Sequence, residues 1–367
     1  MKSNFWKPPD GKPPSGKRFE MTAPDELPAA RCVGGLHEVC VGVPDLELAA
    51  ADFAAYGCRA GERGELDAAA AHALYGVDSA LCSLRLLHQQ VDHGLVRLMQ
   101  WERPLNDGLG MGENLRCVGS RWGVRVTVSA FNLVNHAERA RQAGQALTLI
   151  EPLLAVIGEV SGTRAATPFR DPIVGVREMV LLQPHYRQVF FERFGYQSPL
   201  YGRIDPTSLL QTSQHTHFGL MIADDDPWVL DFYDGVLGLK RMLDERTPYE
   251  NAIASRRIFG LEHGEGFHMV DFDDPASGHA LAERRSGKLK CVRFAANAKI
   301  ERRLDRSRAG CLGYSLYCWR VDDLEAMHRR IATSKATGLG ALQADEFGRR
   351  SFTFFAPDGY QWMLLQA

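Results

Sequence analysis

One order of elements recurs four times along the chain, and this repeat constrains the fold more than any single motif does. In the first copy Val39, Val41 and Val43 alternate as a half-buried strand, and Pro44-Asp45 opens a helix over 46–56 that Gly57 stops. The second has Val124, Val126 and Val128, a helix near 132–144 and a closing strand over 188–192. The third opens with His217-Phe218-Gly219-Leu220-Met221-Ile222, turns through Ala223-Asp224 and enters a helix-like run over 227–236, with returning strands expected near 255–261 and 266–273. The fourth runs from a strand over 312–321 through Asp322-Asp323 into a helix over 324–331, and ends on strands over 350–355 and 360–365.

Each copy sets one helix against several mostly antiparallel strands, which defines an α+β fold class: four βαβββ modules paired into two domains, with curved mixed sheets around clefts. A single module has too little core to stand alone. Pairing in chain order predicts a proline-rich arm over 1–33, a first domain over 34–200 (modules 1 and 2) and a second over 210–367 (modules 3 and 4). The Gly-, Asn-, Ser- and Pro-rich stretches 104–121 and 196–214 are then the connections. A crossed pairing is the alternative, and it would set His217 and Asp271 opposite Arg125 and Phe190.

The 367 residues can bury sizeable cores, and 45% hydrophobic with 24% charged residues is a soluble, globular composition. A net charge of −2 creates no field for nucleic acid, and no apolar run spans a bilayer, so neither nucleic acid nor membrane is an expected partner. The eight cysteines are scattered without a CxxC pair, which fits a reducing cytoplasm.

The His217 strand with its following helix, and the Ala356-Pro357-Asp358-Gly359-Tyr360 turn before the last strand, resemble modules of the vicinal oxygen chelate superfamily, which includes glyoxalases, bleomycin resistance proteins and extradiol dioxygenases. The resemblance implies metal ligands on the first and last strands of paired modules, leaving open positions where adjacent oxygens of a substrate chelate. Carried over position by position, it points to His217 with Asp271 or His268 in the third copy. Ser315 or Leu316 with Met363 in the fourth does not suit a hard metal. The first copy offers Glu38 or His37 with Gln100, and the second Arg125 with Phe190.

Alternation places His215 and His217 on one face if the strand begins early enough. The resulting expectation is an enzyme of the lyase, isomerase or oxygenase type acting on a small, oxygen-bearing and in one version aromatic molecule. A divalent metal (Fe, Mn, Zn, Ni or Co) would sit on His217, His268 and Asp271, and Asp271 or Glu265 would move a proton. Arg125, Phe354 and Trp362 would contact the substrate, and a homodimer is left open. The alternative is a metal-free binding protein or cofactor-independent enzyme using the same clefts, motivated by Leu316 and Met363 and by the Arg125 and Phe190 pair, in which the cleft aromatics and not His217 carry ligand affinity. The plain structural readings make His217 a core histidine, pair Arg125 with an acid and put the aromatic residues in the core.

Overall fold

The computed structural model describes residues 30–156, 173–222, 226–294 and 298–367. Most of the expected arm over 1–33 therefore lies outside the described residues, as does the expected turn at Ala223-Asp224. Module 1 comprises β1 (Glu38–Gly42), α1 (Leu46–Ala54), β2 (Arg59–Leu66), α2 (Ala68–Tyr75), β3 (Leu81–Leu87) and β4 (Leu95–Trp101). Module 2 comprises β5 (Arg121–Thr127), α3 (Ala130–Gln142), β6 (Thr148–Val156), β7 (Gly175–Leu182) and β8 (Arg187–Phe194). Module 3 has β9 (Thr212–Ile222), a short 3-10 turn leading into α4 (Asp231–Gly235), β10 (Lys240–Thr247), α5 (Ser255–Phe259), β11 (Phe267–Asp273) and β12 (Lys288–Phe294). Module 4 has β13 (Gly313–Val321), α6 (Leu324–Ala332), β14 (Gln343–Ala344), β15 (Arg350–Phe355) and β16 (Gln361–Gln366).

The helices after the first strands start where a side chain can accept an orphan N–H. Asp45 accepts from Leu48 N at 2.9 Å, Ser129 from Asn132 N at 3.3 Å and Asp323 from Ala326 N at 2.8 Å. The inward faces follow helical spacing, with Leu46, Ala49 and Phe53 buried on α1 and Leu324, Met327 and Ile331 on α6.

The sheets pair the modules in crossed order. One eight-stranded sheet runs β14-β15-β16-β13-β1-β4-β3-β2, and the other β10-β11-β12-β9-β5-β8-β7-β6. Module 1 thus joins module 4 through antiparallel β1 and β13, and module 2 joins module 3 through β5 and β9. The expected grouping of 34–200 and 210–367 is not the one the sheets use. The connection between β8 and β9 returns the chain beside β5, so the second and third modules become sheet neighbours.

The third module departs from expectation in a second way. Residues 255–259 are a helix, closed by Gly260 at φ +60, where a left-handed residue suits a helix C-terminus. The returning strands are β10, β11 and β12, so Asp271 sits on the penultimate strand.

Each sheet has a helix-side face and a cup face. Val39 and Val41 of β1, Phe218 and Leu220 of β9, and Tyr317 and Trp319 of β13 join the helices in one shared core. The Tyr317 hydroxyl ties the two sheets by donating to Gly219 O at 2.8 Å and lying 3.1 Å from Trp122 O. In the module 1/4 cup, α2 buries Ala71, Leu74 and Tyr75 against Cys40, Met99, Leu316 and Met363. In the module 2/3 cup, Val124, Val180, Val189, Met221 and Val292 form an apolar floor, and Ile258 and Phe259 of α5 cover one end. Among the described residues no helix is long and apolar enough to cross a membrane.

Candidate functional site

The module 2/3 cup gathers charged and aromatic groups that share one face because strand positions two apart point the same way. His217 of β9 is the register partner of Lys288 of β12, and Lys290 is the partner of Asp271 on β11. Lys288 Nζ donates to Asp271 Oδ2 at 2.8 Å and lies 3.5 Å from Asp273 Oδ1, while Lys290 Nζ is 3.7 Å from Asp271 Oδ1. The Tyr201 hydroxyl meets His217 Nδ1 at 2.6 Å, and the Phe191 ring packs 5.3 Å from the imidazole. Glu178 of β7 pairs in register with Phe191. Glu178, Phe191, Tyr201, Met269 and Lys290 are only half-buried, although four of them lie within the strands of this sheet.

The electrostatics fix the charge states. Burial, reinforced by Lys290 and Lys288, holds the His217 imidazole well below its ordinary value, so it is neutral at physiological pH. Burial would raise Asp271, but Lys288 and Lys290 outweigh it and keep its carboxyl at about 2. Glu178 is shifted the other way, raised by burial with Lys290 opposing. His217 Nε2 makes no hydrogen bond among the described residues, leaving a neutral ring nitrogen beside two ammonium groups. Lys290 Nζ lies 2.9 Å from Met269 Sδ, a weak acceptor that a substrate oxygen can replace.

The donor set does not fit a divalent metal. His217 and Asp271 share the cup face, but β12 runs between their strands and its Lys288 holds the carboxylate. His268 lies on the other face of β11, since it is three residues from Asp271, and it is held by Asp244 at 2.6 Å and Arg293 at 2.7 Å. The expected trio is therefore not assembled. In the other cup Glu38 is gripped by Arg85 at 2.9 Å and by Arg97, which also reaches Asp345 at 3.1 Å and Glu346 at 3.2 Å. Gln100 points outward and donates to Pro44 O. Among the described residues no group of three or more His, Cys, Asp and Glu side chains has metal-holding geometry.

The remaining candidates disperse. Glu265 forms a two-pronged ion pair with Arg116, one arm at 2.8 Å, in the loop before β11. Arg125 is fully buried on the helix side of β5, donates to Ser213 O at 2.8 Å and lies over the Tyr56 ring. Phe354 and Trp362 are completely buried in the shared core, where Trp362 stacks on Trp319 at 4.7 Å, so they contact no cup. His215 and His217 do not share surroundings: a register shift in β9 beside Arg125 turns His215 toward Phe218 and Tyr314.

Glu178, Tyr201, Lys288 and Lys290 are the site residues that sequence reasoning missed. The signal for the lysines was the alternation Lys288-Leu289-Lys290-Cys291, which puts both ammonium groups on one face once β12 is recognised.

A chain of four βαβββ modules in two cupped sheets belongs to a recognisable architectural class. Residues 214–364, from within β9 to within β16, match the model of the Glyoxalase/Bleomycin resistance protein/Dioxygenase superfamily, so this part of the chain is similar to that superfamily. No curated protein matches by sequence. Glyoxalase I from Zea mays is similar in structure at 12% identity, covering 92% of each chain, with a TM-score of 0.49. A lactoylglutathione lyase from Agrobacterium tumefaciens aligns over 41% of this chain and 92% of its own at 16% identity and a TM-score of 0.23. A catechol 2,3-dioxygenase aligns over 92% and 93% at 14% identity and a TM-score of 0.26.

Proposed function

We propose that the module 2/3 cup binds and acts on a small organic anion carrying adjacent oxygens, with lysine ammonium groups in the role that a divalent cation has in metal-dependent members of the superfamily. The observation that carries this reading is the pair Lys288 and Lys290 on β12 between His217 and Asp271. Lys288 is locked by Asp271 and Asp273 and sets the local charge. Lys290, more loosely held, is the group that would meet a substrate oxyanion. The neutral His217 would accept a proton from the substrate carbon or hydroxyl, with Tyr201 fixing the ring. Glu178, raised by burial, would return a proton from the module 2 side. Phe191 and Met269 give the apolar contact that suits an aromatic or acyl body. The eight unpaired cysteines favour a reducing compartment such as the cytoplasm.

The test uses chelator-treated, untagged protein and 4-nitrocatechol, whose absorption reports binding of its oxyanion. Saturable binding that Lys290→Met weakens tenfold or more, and that added Fe, Mn, Zn, Ni or Co does not strengthen, is the expected result. Binding that appears only with a stoichiometric divalent metal would overturn the reading and restore a metal on His217 and Asp271.

A further inference from the structure

A second recess lies on the opposite face of the same sheet. Helices α1 and α3 bound a groove of about 310 Å3, at the small end of ligand-sized pockets. Its lining mixes apolar side chains such as Leu133, Ala137 and Leu181 with polar ones such as Asp52, His136 and Gln183, and Tyr56 also lines it. At its floor stands Gln188 of β8, with no exposed surface and with neither its Oε1 nor its Nε2 hydrogen-bonded. Gln188 is the register partner of Gly123, over which the His215 ring packs.

An unpartnered buried carboxamide has lost its water on both polar atoms without a hydrogen bond in return, which is destabilising. Burial pushes the Tyr56 phenol up to about 12 with the nearby Gln188 and Arg125 opposing, yet the hydroxyl lies outside hydrogen-bonding geometry with Gln188. A turn of that hydroxyl would satisfy one atom of the carboxamide, the oxygen or the NH2, and leave the other without a partner.

We propose that this groove is a second ligand site, distinct from the cup, for a small molecule with an apolar body and a planar edge that both donates and accepts, such as a primary amide, lactam or imide. A carboxamide with both atoms free pairs with such an edge through two parallel hydrogen bonds. Charge favours a neutral ligand over an anion. The lining includes one acid, Asp52, and one imidazole, His136, while the nearby guanidinium of Arg125 lies behind the Tyr56 ring and is not among the lining residues.

The probes are phenylacetamide, phenylacetate and methyl phenylacetate, followed by saturation-transfer NMR and calorimetry on the full chain. Phenylacetamide is expected to bind saturably and at least fivefold more tightly than the other two. Gln188→Met, which keeps the shape and removes both polar atoms, is expected to weaken phenylacetamide tenfold or more while the melting temperature holds or rises. Ala137→Phe, which fills the groove, should abolish binding with the circular dichroism spectrum unchanged. No saturable binding to the wild type, phenylacetate binding as tightly as the amide, or affinity unchanged by Gln188→Met would each overturn the proposal. A fall in melting temperature for Gln188→Met would also count against it, since it would show the carboxamide already satisfied within the protein.

Discussion

The two sheets are built from the same module and share one core, yet their cups have opposite fates. In the module 1/4 cup, α2 fills the concavity and Arg97 ties Glu38, Asp345 and Glu346 into a network whose four side chains have no exposed surface. In the module 2/3 cup the charges are fewer and looser, and Glu178, Phe191, Met269 and Lys290 stay half-buried. Both cups have placed a side-chain cation where the superfamily resemblance expects a metal between carboxylate or imidazole donors. In one this arrangement is structural; in the other it leaves reactive groups within reach of a ligand.

The sharpest way to break this contrast is to remove one cation from each cup. Arg97→Ala should lower stability by about 3–5 kcal/mol in urea denaturation, because it leaves buried carboxylates uncompensated. A loss below about 1 kcal/mol would show that the network is not structural.

Acid should act next. His37, just before β1, is held at about 4 by burial, and His217 well below its ordinary value. A histidine whose folded pKa lies below its unfolded one binds protons more readily when unfolded. Its contribution is complete above about pH 6.5 and is lost as pH falls toward 4, by about 2 kcal/mol for His37 at pH 5. Asp358, raised to about 6 by burial, opposes this slope with a contribution lost as pH rises from its ordinary 3.8 through 6. His37→Asn should therefore flatten the fall in unfolding free energy between pH 8 and pH 5, and an unchanged slope would contradict the burial-driven shift.

Lys290→Met should cost less than about 1 kcal/mol of stability while weakening 4-nitrocatechol by the tenfold already stated, about 1.4 kcal/mol. Equal losses of stability from Lys290→Met and Arg97→Ala would erase the distinction between the cups. The smallest effect belongs to Glu178→Gln: a stability change within about 1 kcal/mol, since it removes a desolvated charge without an ion pair within salt-bridge distance. If Glu178 returns a proton, the same substitution should remove the alkaline limb of any pH–rate profile while leaving probe binding in place.

Much of the fold was legible because local rules carry it. Asp45 and Asp323 mark helix starts, Val39 and Val41 mark a buried strand, and Asp358-Gly359 marks the last hairpin. Module pairing was not legible, since the choice of partner for β1 depends on contacts some 275 residues away. The helix at 255–259 misled the reading, because a short amphipathic run before a glycine looks alike in either state. Parity alone could have excluded His268 beside Asp271, an odd number of residues apart on one strand. No comparable rule would have exposed Gln188, whose unpaired state depends on the packing of α1 and α3.

The crossed pairing also dictates an order of assembly. The module 2/3 sheet is continuous in sequence, from Arg121 to Phe294, and can close while the chain is still being made. β1 must wait for β13, which emerges after that inner sheet is complete. Until then module 1 carries an open strand edge of the kind that invites mispairing and chaperone binding. The chain from Gly313 onward therefore acts as a clasp: its loss leaves the inner sheet its partners and deprives the first module of its own.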